Sequence, residues 1–220
     1  MTAARRIQIV IGLLIALGLP FCHLGDLGKR ILGPSNPLAG EVVWWILFVV
    51  IIAYVLVVER KTCASIGYKR PGVADIALGI GAAVVSFLLA GVLFQFVLPA
   101  LHLGMTRQIS NIALAPLWLR LMLVTRAAFV EETAFRGFGF ERLSELTGSP
   151  LLAGLITLAL FTLAHLSGGG WGQVIVAACA GLILTLLYMW RRNIWANIIA
   201  HWLTDGSAFI LLPMLTGGMH

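Results

Sequence analysis

The stretch VADIALGIGAAVVSFLLAGVLFQFVLP, residues 73–99, carries a single ionisable side chain, Asp75, in 27 residues. A membrane helix needs about 20 mostly apolar residues to cross roughly 30 Å of hydrocarbon, so this stretch is long enough for one crossing. The sequence contains six further stretches of this kind, at residues 7–24, 42–58, 112–130, 150–166, 171–190 and 194–215. This pattern predicts an all-α, polytopic transmembrane bundle with about seven to eight membrane helices.

The composition of the whole chain supports the same class. Of the 220 residues, 60% are hydrophobic and 11% are charged, whereas soluble domains carry about 25% charged residues. This balance excludes a water-soluble enzyme and a disordered chain. The net charge of +6 does not indicate nucleic-acid binding, because the basic residues lie in short clusters between apolar stretches. The three cysteines, Cys22, Cys63 and Cys179, have no C-x-x-C spacing and predict neither a disulfide nor a thiolate metal site.

The basic clusters also predict how the chain is oriented. Cytoplasmic loops of membrane proteins carry an excess of lysine and arginine. If the N-terminus is cytoplasmic, the residues on or toward that side are Arg5, Arg6, Arg60, Lys61, Lys69, Arg70, Arg126, Arg136, Arg142, Arg191 and Arg192. Lys29, Arg30 and Arg107 lie on the opposite side. We therefore expect a cytoplasmic N-terminus.

Ionisable groups in the hydrocarbon are costly, and the first unusual cluster is FVEETAFRG, residues 129–137. Adjacent residues lie about 100° apart around a helix, so Glu131 and Glu132 cannot share one role. Glu132 and Arg136 are four residues apart and predict an ion pair. Glu131 then points toward whatever the bundle encloses. The alternative is that all three lie at a solvated helix end on the cytoplasmic surface.

Two further clusters place histidines in apolar helices. His165 closes an apolar run that contains no other ionisable side chain, where a simply packed histidine is the alternative. Asn197, His201 and Asp205 follow in steps of four, which aligns them as a polar stripe. Lipid cannot satisfy such a stripe, so it must face protein or trapped water. A hydrogen-bonding ladder between helices, without chemistry, is the alternative.

Together these clusters contain the parts of a hydrolytic site. A water held between a carboxylate base and imidazole groups can attack a carbonyl, while other groups stabilise the oxyanion. Glu131, His165 and His201 are also the residue types of a catalytic zinc set, although H-E-x-x-H is absent. Zinc is therefore a candidate cofactor that the sequence permits without requiring.

The residues of these clusters form three motifs that follow one another along the chain, and the motifs resemble those of a known protein family. They are Glu131-Glu132-x-x-x-Arg136 followed by Gly137, Phe161-x-x-x-His165, and His201-x-x-x-Asp205. In this the chain resembles the CPBP family (CAAX protease and bacteriocin-processing, or Abi) of intramembrane proteases. The resemblance covers about half the chain. It implies a single integral membrane domain over residues 1–220, with variable N-terminal helices at 1–110 and a catalytic core at 111–210.

The resemblance implies an endopeptidase of the bacterial inner or plasma membrane that hydrolyses peptide bonds of membrane-tethered substrates, such as CAAX-type or leader peptides. By position, Glu131 would activate the water and His165 would hold it or bind a metal. His201 and Asp205 would orient the water and stabilise the oxyanion. The supporting residues would be Glu132, Arg136, Phe161 and Asn197. Members of the family have been described both as metalloproteases and as glutamate-dependent proteases.

Two other functions use the same residues. One is a non-catalytic bacteriocin self-immunity or scaffold protein that retains the fold. The other is a small transporter or proton relay, because intramembrane Glu, His and Asp are typical of such pathways.

The depth of His165 is a difficulty for a shared site. Seven straight, full crossings would leave His165 near the far side of the membrane and Glu131 on the cytoplasmic half. We therefore expect either a long tilted helix from about 113 to 146, or a fifth helix offset by the Gly168–Gly170 break.

Overall fold

The computed structural model describes residues 1–33 and 35–215, without the side chains of residues 107–110. Within these ranges the chain is helical, with short connections and no strand. The helices are α1 (Ala3–Phe21), α2 (Leu24–Leu32), α3 (Ala39–Val58), α4 (Val73–Ala100), α5 (Arg107–Leu114), α6 (residues 117–147), α7 (Pro150–Ala164), α8 (Leu166–Arg191) and α9 (Ile194–Leu215). The predicted all-α membrane bundle is confirmed.

The helices differ in whether they can cross a bilayer. In the described part of the chain, α1, α3, α4, α8 and α9 are long and apolar enough to do so by length and composition. Helix α7 has 15 residues, which at 1.5 Å per residue is about 22 Å, short of the hydrocarbon thickness. Helix α6 is long but carries charged side chains at several depths. Each of the seven predicted stretches thus lies mainly on one helix, but α7 does not cross completely.

Helix α6 corresponds to the long helix that was one of the two arrangements expected from the depth of His165. It starts at Leu117, a few residues later than expected, because Ala115 and Pro116 both have extended backbone. Its middle, Ala127–Phe140, is π-helical, with hydrogen bonds between residues five apart. The helix then continues to Thr147. The π-helical segment contains the Glu131-Glu132 pair.

Two glycines shape the packing around this segment. Gly170 has φ 70° and ψ −172°, a conformation that favours glycine, and it kinks α8 near its start. Gly79 lies where α4 meets α9, and a Cβ atom there would come within 2.7 Å of the Ala196 carbonyl oxygen. The absence of a side chain at Gly79 therefore allows α4 and α9 to approach closely.

A network of ion pairs closes one end of the bundle, which we call the basic end. Arg142 forms a buried pair with Glu59 at 2.6 Å. Arg5 bridges Glu59 at 2.9 Å and Glu145 at 2.7 Å. Lys61 adds a more exposed contact to Glu145 at 3.1 Å. These contacts fasten α1 and the end of α3 to the last turns of α6.

We expect Arg142→Ala to lower the free energy of unfolding by about 3 kcal/mol, because it leaves the fully buried Glu59 carboxylate with fewer partners. Denaturant unfolding of the purified protein in detergent measures the change. Lys61→Ala is the matched control and should cost less than about 1 kcal/mol, since its ion pair is exposed. Equal effects of the two variants would contradict this account of the basic end.

Candidate active site

Glu132 is the centre of a buried network that joins α6 to α9. Its side chain is 0% exposed. Oε1 accepts hydrogen bonds from Arg136 Nη1 at 2.9 Å and from His201 Nδ1 at 2.8 Å, and Oε2 accepts one from Asn197 Nδ2 at 3.1 Å. The ion pair predicted from the spacing of Glu132 and Arg136 is present. The contact with His201 was not predicted, because it joins residues 69 positions apart.

Glu131 has different surroundings, as its position on the helix predicts. Its side chain lines a cavity inside the bundle, and its Oε1 accepts a hydrogen bond from Arg126 Nη1 at 3.0 Å. Arg126 also donates from Nε to Glu41 Oε2 of α3 at 3.1 Å. Arg126 thus links two carboxylates, one of them supplied by the N-terminal helices.

Neither Glu41 nor Arg126 was among the site residues predicted from the sequence, in which Arg126 counted only as a charge that indicates topology. The sequence feature that could have indicated the contact of Arg126 with Glu131 is their five-residue spacing, which matches the hydrogen-bond spacing of a π-helix rather than an α-helix. For Glu41, the signal was a carboxylate in the first turn of an otherwise apolar helix.

His165 meets Glu131 because α7 stops partway across the bundle. The ring Nδ1 lies 2.8 Å from the Phe161 carbonyl oxygen. A carbonyl oxygen only accepts, so Nδ1 carries the proton of this hydrogen bond. The other ring nitrogen, Nε2, lies 3.9 Å from Glu131 Oε2. Helices α6 and α7 are joined at the end of α6, so depth in the bundle can be counted from that connection. Glu131 lies 16 residues before the end of α6. His165 follows the 15 residues of α7 and therefore lies at about the same depth.

The ring of Phe161 packs these groups together. Its centroid lies 4.7 Å from that of His165 and 6.4 Å from that of His201. The guanidinium of Arg136 lies over the same ring at 4.0 Å, within cation–π range. Phe161 is buried, so it holds both imidazoles and Arg136 in place.

The predicted polar stripe on α9 faces the protein interior and the cavity. Asn197 Nδ2 donates to Glu132 and to the Leu184 carbonyl oxygen at 2.7 Å. His201 Nε2 lies 3.4 Å from Asp205 Oδ2, so each ring nitrogen of His201 faces a carboxylate. Asp205 is the most open member, with 29% of its side chain exposed.

The cavity has a volume of about 640 Å³, within the range of small-molecule and cofactor sites. The four predicted catalytic residues, Glu131, His165, His201 and Asp205, all lie in its wall. Glu132, buried beneath it, is engaged by its three partners. The two adjacent carboxylates are therefore separated into one open to the cavity and one sealed in protein.

The predicted zinc set does not fit this arrangement. A catalytic zinc usually takes three protein ligands, and in the part of the chain that the structure describes there is no group of three or more His, Cys, Asp or Glu placed to hold a metal ion. Both nitrogens of His201 face carboxylates, and Nδ1 of His165 is bound to a backbone carbonyl. Of the predicted ligands Glu131, His165 and His201, only His165 offers a free imidazole nitrogen.

Comparison with known proteins shows that this region is similar to one family. Residues 113–207 match the family model described as type II CAAX prenyl endopeptidase Rce1-like. No curated protein and no solved structure matches the chain. All three motifs lie inside the matched range, so the resemblance they predicted is confirmed. The chain is thus an integral membrane protein whose residues 113–207 match the Rce1-like family model of type II CAAX prenyl endopeptidases.

Proposed function

We propose that the chain is an intramembrane endopeptidase that hydrolyses peptide bonds of membrane-associated peptides with a water molecule activated by Glu131. One observation carries this assignment. Of two adjacent carboxylates, only Glu131 opens to the cavity, and it faces His165 Nε2 at 3.9 Å. Glu132 is occupied by three hydrogen-bond partners.

The separation of Glu131 and His165 suits a bridging water. At 3.9 Å the two atoms are too far apart for a direct hydrogen bond, and polar groups at such distances are commonly joined through water. Since Nδ1 of neutral His165 is the donor to Phe161, Nε2 is an acceptor. The water therefore donates one hydrogen to Glu131 and one to His165, which leaves its oxygen lone pairs free for attack.

Hydrolysis then follows by general base and general acid catalysis. As the water oxygen bonds to the substrate carbonyl carbon, its proton moves to Glu131. The carbonyl oxygen becomes an oxyanion in a tetrahedral intermediate. When the carbon–nitrogen bond breaks, Glu131 returns the proton to the leaving amine. The products are a carboxylic acid and an amine, and Glu131 is again a carboxylate.

We assign His201, with Asp205 beside it, to the oxyanion. The two ring nitrogens of His201 face Glu132 and Asp205, so the ring would stabilise the oxyanion through positive charge at the cavity wall and not through a hydrogen bond. Glu132, with Arg136 and Asn197, then orients His201 from behind rather than reacting itself. In the same way Arg126 holds Oε1 of Glu131 and leaves Oε2 toward His165.

The closed basic end argues against a continuous pore through the bundle. A pore needs access from both faces of the membrane at once, whereas a transporter opens to each face in turn. Between Glu131 and the basic end lies an aromatic plug formed by Phe138, Phe140 and Tyr188, which are 0–1% exposed. The Phe140 and Tyr188 rings pack edge to face at 5.4 Å. The cavity therefore ends at the candidate catalytic residues.

We expect Glu131→Gln to lower the rate of peptide cleavage about 10³-fold, because the amide keeps the shape of the side chain but cannot accept the proton of the water. Cleavage of a membrane-tethered reporter peptide by the purified protein measures the loss. The melting temperature should change little, since Glu131 lies at the cavity wall.

Two variants serve as controls for Glu131→Gln. Glu145→Gln, at the basic end, should retain full activity. Glu132→Gln should lower both activity and melting temperature, because it weakens the buried pair with Arg136. An unchanged cleavage rate in Glu131→Gln would exclude Glu131 as the base.

Removal of metal should leave the activity intact, because the described residues contain no suitable ligand group. The purified protein is treated with a strong zinc chelator and dialysed, its metal content is measured by mass spectrometry, and reporter cleavage is compared before and after. Loss of activity that added zinc restores would overturn a mechanism based on side chains alone.

A further inference from the structure

The two ends of the bundle differ in charge. The lysines and arginines at the basic end and its adjoining loops are Arg5, Arg6, Arg60, Lys61, Lys69, Arg70, Arg142, Arg191 and Arg192. Contacts place them together: Arg5 and Lys61 reach Glu145, Arg142 reaches Glu59, and Arg191 reaches Asp75 at 2.9 Å. At the opposite end, the basic side chains that the structure describes are Lys29, Arg30 and Arg120, the last in the first turn of α6, while Arg126 lies deeper in the cavity wall. By the positive-inside rule the basic end faces the cytoplasm.

The cavity opens at the opposite end. Among its lining residues, His23, Asp26, Lys29, Ser35 and Pro37 are exposed and Pro20 is half-buried; we call these six residues the mouth. These residues lie in and around α2, in the connection from α1 to α3. From the mouth the cavity runs inward to Glu131 and His201. On the other side of these residues the aromatic plug separates them from the basic end.

Helix α2 indicates that the mouth lies at the surface of the membrane. Its apolar residues Leu27 and Ile31 are exposed, while Asp26 and Lys29 lie on its polar side. The helix is held against α3 at Gly28, where a Cβ atom would collide with the Ala39 carbonyl group. A short amphipathic helix with an exposed apolar face is typical of the membrane interface.

We infer that the cavity opens to the non-cytoplasmic face, so that the substrates of the proposed peptidase are peptide segments presented at the outer surface of the membrane. This inference rests on the proposed function for its substrate, but its orientation rests on charge and cavity geometry alone. A lipidated tail presented in the cytoplasm would reach the basic end. There the aromatic plug and the Arg142–Glu59 pair lie between the surface and Glu131 and block access to it.

Cysteine labelling tests the orientation without reference to activity. Cys22 is exposed beside the mouth and Lys69 is exposed at the basic end. One variant keeps Cys22 and replaces Cys63 and Cys179 by serine. The other carries Lys69→Cys in a background where all three native cysteines are serine. A membrane-impermeant maleimide is applied to intact spheroplasts and, in parallel, to permeabilised ones.

We expect Cys22 to be labelled in intact spheroplasts and the cysteine at position 69 only after permeabilisation. Labelling of position 69, and not of Cys22, in intact spheroplasts would overturn the inferred orientation.

Two reporters then test the side on which cleavage occurs. The two reporters carry the same peptide, which is selected because the purified protein cleaves it in detergent. They differ in their transmembrane anchors, which place the peptide on opposite sides of the membrane. We expect the reporter with an outer peptide to be cleaved at least tenfold faster than the one with a cytoplasmic peptide, and Glu131→Gln to cleave neither. Faster cleavage of the cytoplasmic reporter would overturn the inference. No cleavage of any peptide, with Cys22 labelled from outside, would support the orientation and contradict the peptidase function.

Discussion

The structure depends on satisfying one carboxylate, Glu132, in a place where neither water nor lipid can do so. A buried charge of this kind is tolerated only when it is paired and its hydrogen bonds are complete. Arg136, His201 and Asn197 supply that pairing from two helices. Because Glu132 is fixed in this way, its neighbour on the helix must point elsewhere, and Glu131 is turned into the cavity.

The depth of the site follows from helix length. Helix α7 is too short to cross a bilayer, so its last residues and His165 end within the bundle rather than at the far surface. Helix α6 is long enough to bring Glu131 to the same depth from the other direction. Groups from separate helices can therefore meet around one cavity, although their positions along the sequence place them near different surfaces.

Much of this was accessible from the sequence, because hydrophobic periodicity and four-residue spacings are local properties. They predicted the helical bundle, the Glu132–Arg136 pair and the different orientation of Glu131. They did not predict the contact of Glu132 with His201, which depends on how α6 packs against α9. Nor did they predict Arg126, whose five-residue spacing to Glu131 places it beside that carboxylate only in a π-helical segment. The end of α7 was predicted to within two residues, because the apolar run closes at His165 and is followed by Gly168–Gly170.

The salt bridge from Glu41 through Arg126 to Glu131 joins the first half of the chain to the motif-bearing half. Glu41 lies outside residues 113–207, yet it shares the guanidinium that holds the proposed base. A chimaera that grafts this core onto foreign N-terminal helices without an acid at that position would leave Arg126 to a single carboxylate. The charge balance around the proposed base is thus set by both halves of the chain, although the motifs lie in only one of them.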